Sequence, residues 1–255
     1  MRLNYQLTLN PNNPQKVMVF IHGLFGSLSN LGMLARHYAK DYSIFQLDVR
    51  NHGLSAHSDE HHYEILAQDV LETLTELNIE KFAVVGHSMG GKIAMKVASL
   101  VPDRVTHLVV LDMSPAPYTE NHHAEIFQAL FAVERANVSS RLDAAKIMRD
   151  YVNEEMVIQF LLKSFNKGQW LFNVAGLYDN YANILAWDNI QPIAVPSLFL
   201  RGGNSFYISE PAQFTAIEAQ FTQAQVELIA DAGHWLHGEK TVEVLEKMDA
   251  FLQTF

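Results

Sequence analysis

The stretch Phe82-Ala83-Val84-Val85-Gly86-His87-Ser88-Met89-Gly90-Gly91 constrains this chain more than any other. A short apolar run, read as a buried strand, ends in Gly-x-Ser-x-Gly. Beyond it Ile93, Ala94, Val97, Ala98 and Val101 share one helical face, and Pro102 closes the pattern. A strand that passes into a helix through one serine must turn tightly, with strain in the serine backbone. Gly86 and Gly90 are expected where a Cβ would collide with the neighbouring strand or helix. Such a turn holds the serine hydroxyl out at the top of a sheet, beside the positive end of a helix. A loop matching the pattern by chance would have neither the strand before it nor the helix after it.

Further apolar runs place this turn in a larger scheme. Leu3, Tyr5, Leu7 and Leu9 alternate with polar residues, as in a half-exposed edge strand. Val17 to Ile21, Ile44 to Leu47, His107 to Leu111, Ser197 to Leu200 and Val226 to Ile229 read as buried strands. Helical spacing links Leu66, Val70, Leu74 and Leu77, and again Val242, Leu245, Phe251 and Leu252. Strands alternating with helices predict an α/β fold: a mostly parallel sheet covered by helices on both faces. Only helical stripes occur from about Pro115 to Asn189: Ile126/Leu130/Val133, Met156/Phe160/Leu161 and Trp170/Val174/Leu177/Tyr178. The expectation is one domain, residues 1–255, with a helical cap inserted over residues 115–189. Most cap aromatics are expected to pack, and a minority of them to line a pocket.

Composition removes several functions. The chain has 255 residues, 49% of them hydrophobic, enough for a single large core. The formal net charge is −10, from 28 acidic and 18 basic residues with no basic cluster, so neither nucleic acid nor an anionic membrane is an expected partner. There is no cysteine, which excludes disulfides and thiolate metal sites. The N-terminus lacks the apolar core of a signal peptide, and no apolar run reaches membrane length. A cytoplasmic protein is expected.

A serine hydroxyl is a weak nucleophile unless a base takes its proton and a third group orients that base. Asp231-Ala232-Gly233-His234-Trp235 follows the last strand and precedes the last helix, which makes His234 the candidate base and His237 the runner-up. The negative charge that forms when a serine attacks a carbonyl needs backbone donors. Met89, after the nucleophile, is one; Leu24, in Ile21-His22-Gly23-Leu24-Phe25-Gly26 after an early strand, is the other. His22 is expected to brace that loop, and His22, Phe25 and Asn204 are taken as substrate-binding residues. His52, His57, His61 and His62 match no standard zinc spacing and are read as a solvated loop. Asp48 and Arg50 are read as a structural pair, and Lys92 as a surface residue. No cofactor and no metal is implied.

Taken together, these motifs resemble those of the α/β-hydrolase family over essentially the whole chain. They are His22-Gly23, Asp48-x-Arg50-x-x-Gly53-x-Ser55, Gly86 to Gly91 and Gly233-His234. Asp112-Met113-Ser114-Pro115, Arg201 to Ser205 and Ala232 to Trp235 are most similar to the YbfF-type bacterial esterases. The resemblance implies a carboxylesterase that also cleaves acyl thioesters such as acyl-CoA, acting on a small-molecule ester or thioester. It also exposes a departure. Most members carry the orienting acid after the strand that follows the cap, yet Arg201-Gly202-Gly203-Asn204-Ser205-Phe206 has no carboxylate. Asp112, at the end of the preceding strand, is the favoured acid. A turn-capping role for Asp112, with Asn204 or its neighbours orienting His234, is the alternative. Two rival functions stand beside the serine hydrolase: a MenH-like lyase on the same fold, and a catalytically silent ligand-binding protein.

Overall fold

Every second residue of the central strands goes to a different core, so both faces of the sheet must be covered. Val17, Val19 and Ile21 enter one apolar cluster, while Met18 and Phe20 enter the other. This period-two division of a continuously apolar run is what a buried parallel strand requires. In the computed structural model, which describes residues 1–253, seven strands form one sheet. They are β1 (Tyr5–Thr8), β2 (Val17–Ile21), β3 (Ser43–Leu47), β4 (Phe82–His87), β5 (Val105–Leu111), β8 (Ser197–Gly202) and β9 (Ala224–Ile229). Their order is β1-β3-β2-β4-β5-β8-β9. Only β1 runs antiparallel, on the edge, with alternate residues exposed.

Helices α2 (Tyr63–Glu76) and α3 (Met89–Leu100) bury Leu66, Val70, Leu74, Ile93 and Val97 in the first core. Helices α1 (Gly32–Tyr38) and α11 (Thr241–Leu252) bury Leu34, Tyr38, Val244 and Met248 in the second. The short α9 (Pro211–Gln220) and α10 (Leu236–Glu239) complete the layers around β8 and β9. The chain runs outward from β2 to β3, then returns to place β4 on the other side of β2. Loops leaving β2 and β4 therefore diverge at their carboxyl ends and open a crevice, the usual ligand position in such sheets.

Between β5 and β8 the chain forms α4 (Ala124–Ala136), α5 (Arg141–Met148), α6 (Glu155–Leu162), α7 (Val174–Asp179) and α8 (Tyr181–Leu185). A hairpin of β6 (Phe165–Asn166) and β7 (Gln169–Trp170) lies among them, turning at Gly168 with φ +87°. The helical stripe read from Trp170 is thus partly strand: Trp170 closes the hairpin, and its indole donates to Leu130 O. The core of this inserted segment is continuous with the first sheet core.

Candidate functional site

Ser88 sits between β4 and α3 with φ 55° and ψ −123°, a conformation held by its surroundings. Its N–H donates to Leu111 O, and its carbonyl accepts from Gly91 N. The two flanking glycines are sterically obligatory. A Cβ on Gly86 would lie 2.1 Å from Gly90 O, and one on Gly90 would lie 2.3 Å from Ile21 O. Met89 opens α3, so its N–H has no acceptor within the helix.

Asp112 follows β5 and is wholly buried, with φ 53°. Its Oδ1 accepts from Gly202 N at 2.9 Å. Its Oδ2 accepts from His234 Nδ1 at 2.7 Å and also from the Ser205 hydroxyl. With Nδ1–H committed to a carboxylate, His234 keeps the lone pair on Nε2. The Tyr207 ring stacks on the imidazole at 4.1 Å, and the His234 carbonyl accepts from His87 Nε2 at 2.9 Å. The loop after β8 therefore reaches Asp112 through Ser205 and His234 through Tyr207. Asn204 does neither: its side chain is exposed, and only its backbone bonds, to Ala232 O.

The loop after β2 presents one backbone donor. His22 Nδ1 and Gly26 N both donate to Gly23 O, at 2.8 and 3.1 Å. The Leu24 N–H belongs to the same trans peptide and so points the opposite way. The next amide, Phe25 N, is taken by His52 Nε2 at 3.1 Å. Gly23, Leu24, Phe25, His87, Ser88 and His234 all border one cavity of about 810 Å³. Its far walls carry Leu31 and Leu34 from the α1 side and Met156, Val157 and Phe160 of α6. Met33, Met156 and Phe206 are exposed at 55%, 56% and 42%, and mark where the cavity opens. The fully charged side chains on the lining are Arg36, Lys163, Glu125, Glu154 and Glu239.

Several readings need correction. His22 is buried off the cavity, with its second ring nitrogen accepting from Val49 N. Both its nitrogens are spent on backbone, so it braces the loop and cannot meet a substrate. Asn204 is likewise off the lining. His237 lines the cavity beside His87, at 4.4 Å, while Asp112 is bonded to His234. His52 and His61 are fully buried, which a solvated loop would not allow. Among the described residues no group of three or more such side chains could hold a metal ion. Asp48 and Arg50 do not pair with each other. Asp48 accepts from Asn4, Leu28 N and Leu54 N, whereas Arg50 grips Asp69 through Nε and Nη2.

Lys92 is 1% exposed, not a surface residue. Its Nζ donates to Leu185 O at 3.1 Å and Ala186 O at 2.9 Å, and lies over the rings of Tyr63 and Tyr118. Burial pulls its pKa down to about 7. Among the cap aromatics singled out from sequence only Phe160 reaches the cavity wall. The signals for His87, His52 and Tyr207 were weak: His87 ends a strand at the variable position before Ser88, and neither His52 nor Tyr207 shows a spacing that tells which backbone or ring it meets.

Comparison with known proteins agrees with this architecture. A family profile described as the alpha/beta hydrolase fold matches residues 16–241. The chain is 46% identical to Esterase YbfF of Escherichia coli (strain K12) over 99% of both chains. It is 35% identical to the sn-1-specific diacylglycerol lipase ABHD11 of Mus musculus, over 98% of this chain and 85% of that protein. A solved marine microorganism esterase superposes with a TM-score of 0.92 at 30% identity, covering 98% of this chain and 99% of its own.

Proposed function

As a member of the α/β-hydrolase family, this chain is, we propose, a serine carboxylesterase working through Ser88, His234 and Asp112. Ser88 Oγ attacks the acyl carbonyl as His234 Nε2 accepts its proton. The Leu24 and Met89 amides receive the oxyanion. The alcohol leaves with the proton from His234, and water activated by the same nitrogen releases the acid. Asp112 keeps Nδ1 protonated and stabilises the imidazolium. The observation that supports this most is the 2.7 Å bond from His234 to a fully buried carboxylate, on a cavity that Ser88 also borders.

The substrate proposed is a neutral ester whose acyl chain lies along the apolar wall of Met156, Val157 and Phe160. Thioester cleavage belongs to the same proposal, because the acyl-enzyme step tolerates sulfur as the leaving atom and the open rim leaves room for a bulky leaving group outside. A large, strongly basic pocket would favour the lyase; a lining with two cations against three carboxylates does not. A fluorophosphonate probe separates an esterase from a silent binder. Wild type should label and hydrolyse p-nitrophenyl esters, while Ser88→Ala should do neither, with hydrolysis down about a thousandfold or more. Near-normal turnover by that variant would overturn the mechanism, and a parallel series of acyl-CoAs decides the leaving group.

A further inference from the structure

His52 lies outside the three residues that perform the chemistry, yet it touches the loop that receives the negative charge. It follows β3 in sequence, is fully buried, and has no place on the cavity wall. Its two ring bonds have only one chemical solution. Phe25 N–H can only donate, so Nε2 must accept, at 3.1 Å; Arg50 O can only accept, so Nδ1 must carry the proton, at 3.0 Å. Burial, with His22 and His61 close by, pushes its pKa well below the usual histidine value, which keeps the Nε2 lone pair available.

Two successive peptides of the oxyanion loop are thus held from beneath by two histidines. His22 holds the peptide between Gly23 and Leu24, and His52 holds the one between Leu24 and Phe25. Their rings touch edge to face at 5.2 Å. Phe25 has φ 62°, which a bulky residue keeps only under restraint. Ring packing on Phe127 and Phe172 and the Ser164 bond to its carbonyl help hold Phe25, but without the acceptor at His52 the second peptide loses the hydrogen bond that fixes its own N–H. The neighbouring Leu24 amide is then held from the Gly23 side alone, through His22 and Gly26, and its aim is less closely fixed. The loop holding His52 is itself tied to the inserted segment, through the bridge to Phe172 and the bond from Asn173 N to Asn51 O.

We propose that His52 is a positioning residue for the oxyanion hole, fixing the Leu24–Phe25 peptide so that Leu24 N–H stays aimed at the reacting carbonyl oxygen. This rests on the esterase reading above. The test compares wild type, His52→Gln, His52→Asn and His52→Leu on p-nitrophenyl acetate, together with the Ki of a trifluoromethyl ketone whose hemiketal oxyanion occupies the same hole. Leu cannot accept, and Asn is too short to reach Phe25; both should lose about tenfold to a hundredfold in kcat with KM within about twofold, as for a misaimed group. Their Ki should rise by the same factor. Gln, whose amide oxygen can reach Phe25 N–H, should recover most of both quantities. Should the Leu variant fail to fold, the Gln–Asn pair decides alone. Equal kcat and Ki in Gln and Asn, or a loss confined to KM or thermal stability, would overturn the proposal. Failure of the esterase reading looks different, because wild type itself would then neither label with fluorophosphonate nor turn over.

Discussion

Asp112 and Asn204 compete for one job, and their surroundings differ sharply. Asp112 is buried and accepts from Gly202 N, Ser205 and His234, so its carboxylate is fixed in place before any substrate arrives. Asn204 faces solvent one residue before the serine that bonds Asp112. Asp112→Asn should lower initial ester hydrolysis by at least about a hundredfold, since His234 loses both its orienting partner and the charge that stabilises imidazolium. Asn204→Ala should leave the rate within about twofold, as is usual for an exposed side chain away from special features. Initial rates of the two variants side by side check this. The reverse ordering would return Asp112 to a turn-capping role. Positive φ at Ser88, Asp112 and Phe25 belongs to the same scale. Phe25 and Ser88 border the cavity and Asp112 lies behind it on His234, and all three carry backbone strain that the fold must hold in place.

Helix α3 carries a consequence of its own. Ser88 stands at its N-cap position, and four residues on Lys92 reaches carbonyls at the end of α8, where the backbone has no helical partners left. Among the described residues the amine finds oxygen acceptors and aromatic faces but no carboxylate. Its charge therefore costs more here than in water. At low pH both folded and unfolded chains hold the proton, and the cost is felt in full. Between about 7, the folded value, and the ordinary 10.5, the unfolded chain binds a proton that the folded one releases. Stability from this group accordingly rises with pH across that window. Urea midpoints of wild type and Lys92→Met, taken from pH 6 to pH 9, should show wild type gaining on the variant as pH increases. A constant difference would mean that Lys92 does not titrate in this range. The residue also joins α3 to the end of the inserted segment, where Tyr118 N donates to the same Leu185 carbonyl.

The whole molecule sets the pocket. The sheet presents Ser88, Leu24 and Asp112 at the carboxyl ends of neighbouring strands, while the inserted segment supplies α6 as the opposite wall. Phe160 is on that wall and Phe165, 1% exposed, is packed against Trp170 away from it. Phe160→Ala should shift the acyl-length preference, because each methylene buried there is worth up to about 0.8 kcal/mol. Phe165→Ala should instead cost about 3–5 kcal/mol of stability and keep the wild-type length profile at temperatures where it is folded. Rate series on esters of increasing acyl length, with thermal melts of each variant, separate the two. An unchanged profile in Phe160→Ala would move the acyl site elsewhere in the cavity.

Periodicity alone was enough for the inner strands, because a strand covered on both faces must be apolar throughout and a helix beside it must show its stripe; Val226 to Ile229, read as buried, is instead an edge strand with Leu228 42% exposed. The run from Phe82 to Val85 and the stripe from Ile93 to Val97 needed no tertiary information. The two glycines around Ser88 were legible for a similar reason: their constraint is local, set by backbone four residues away or on the adjoining strand. The β6–β7 hairpin was not legible, since two-residue strands are too short to carry a period. Lys92 and His52 were misread because charge and polarity predict exposure only on average. Whether a polar side chain is buried depends on finding acceptors, and those of Lys92 lie 93 and 94 residues away, at Leu185 and Ala186. His52 finds its partner 27 residues back along the chain, at Phe25. Sequence determined which residues are chemically able to act, and tertiary structure decided which nitrogen, hydroxyl or amide each one faces, because hydrogen-bond partners here are brought together by sheet order and not by spacing.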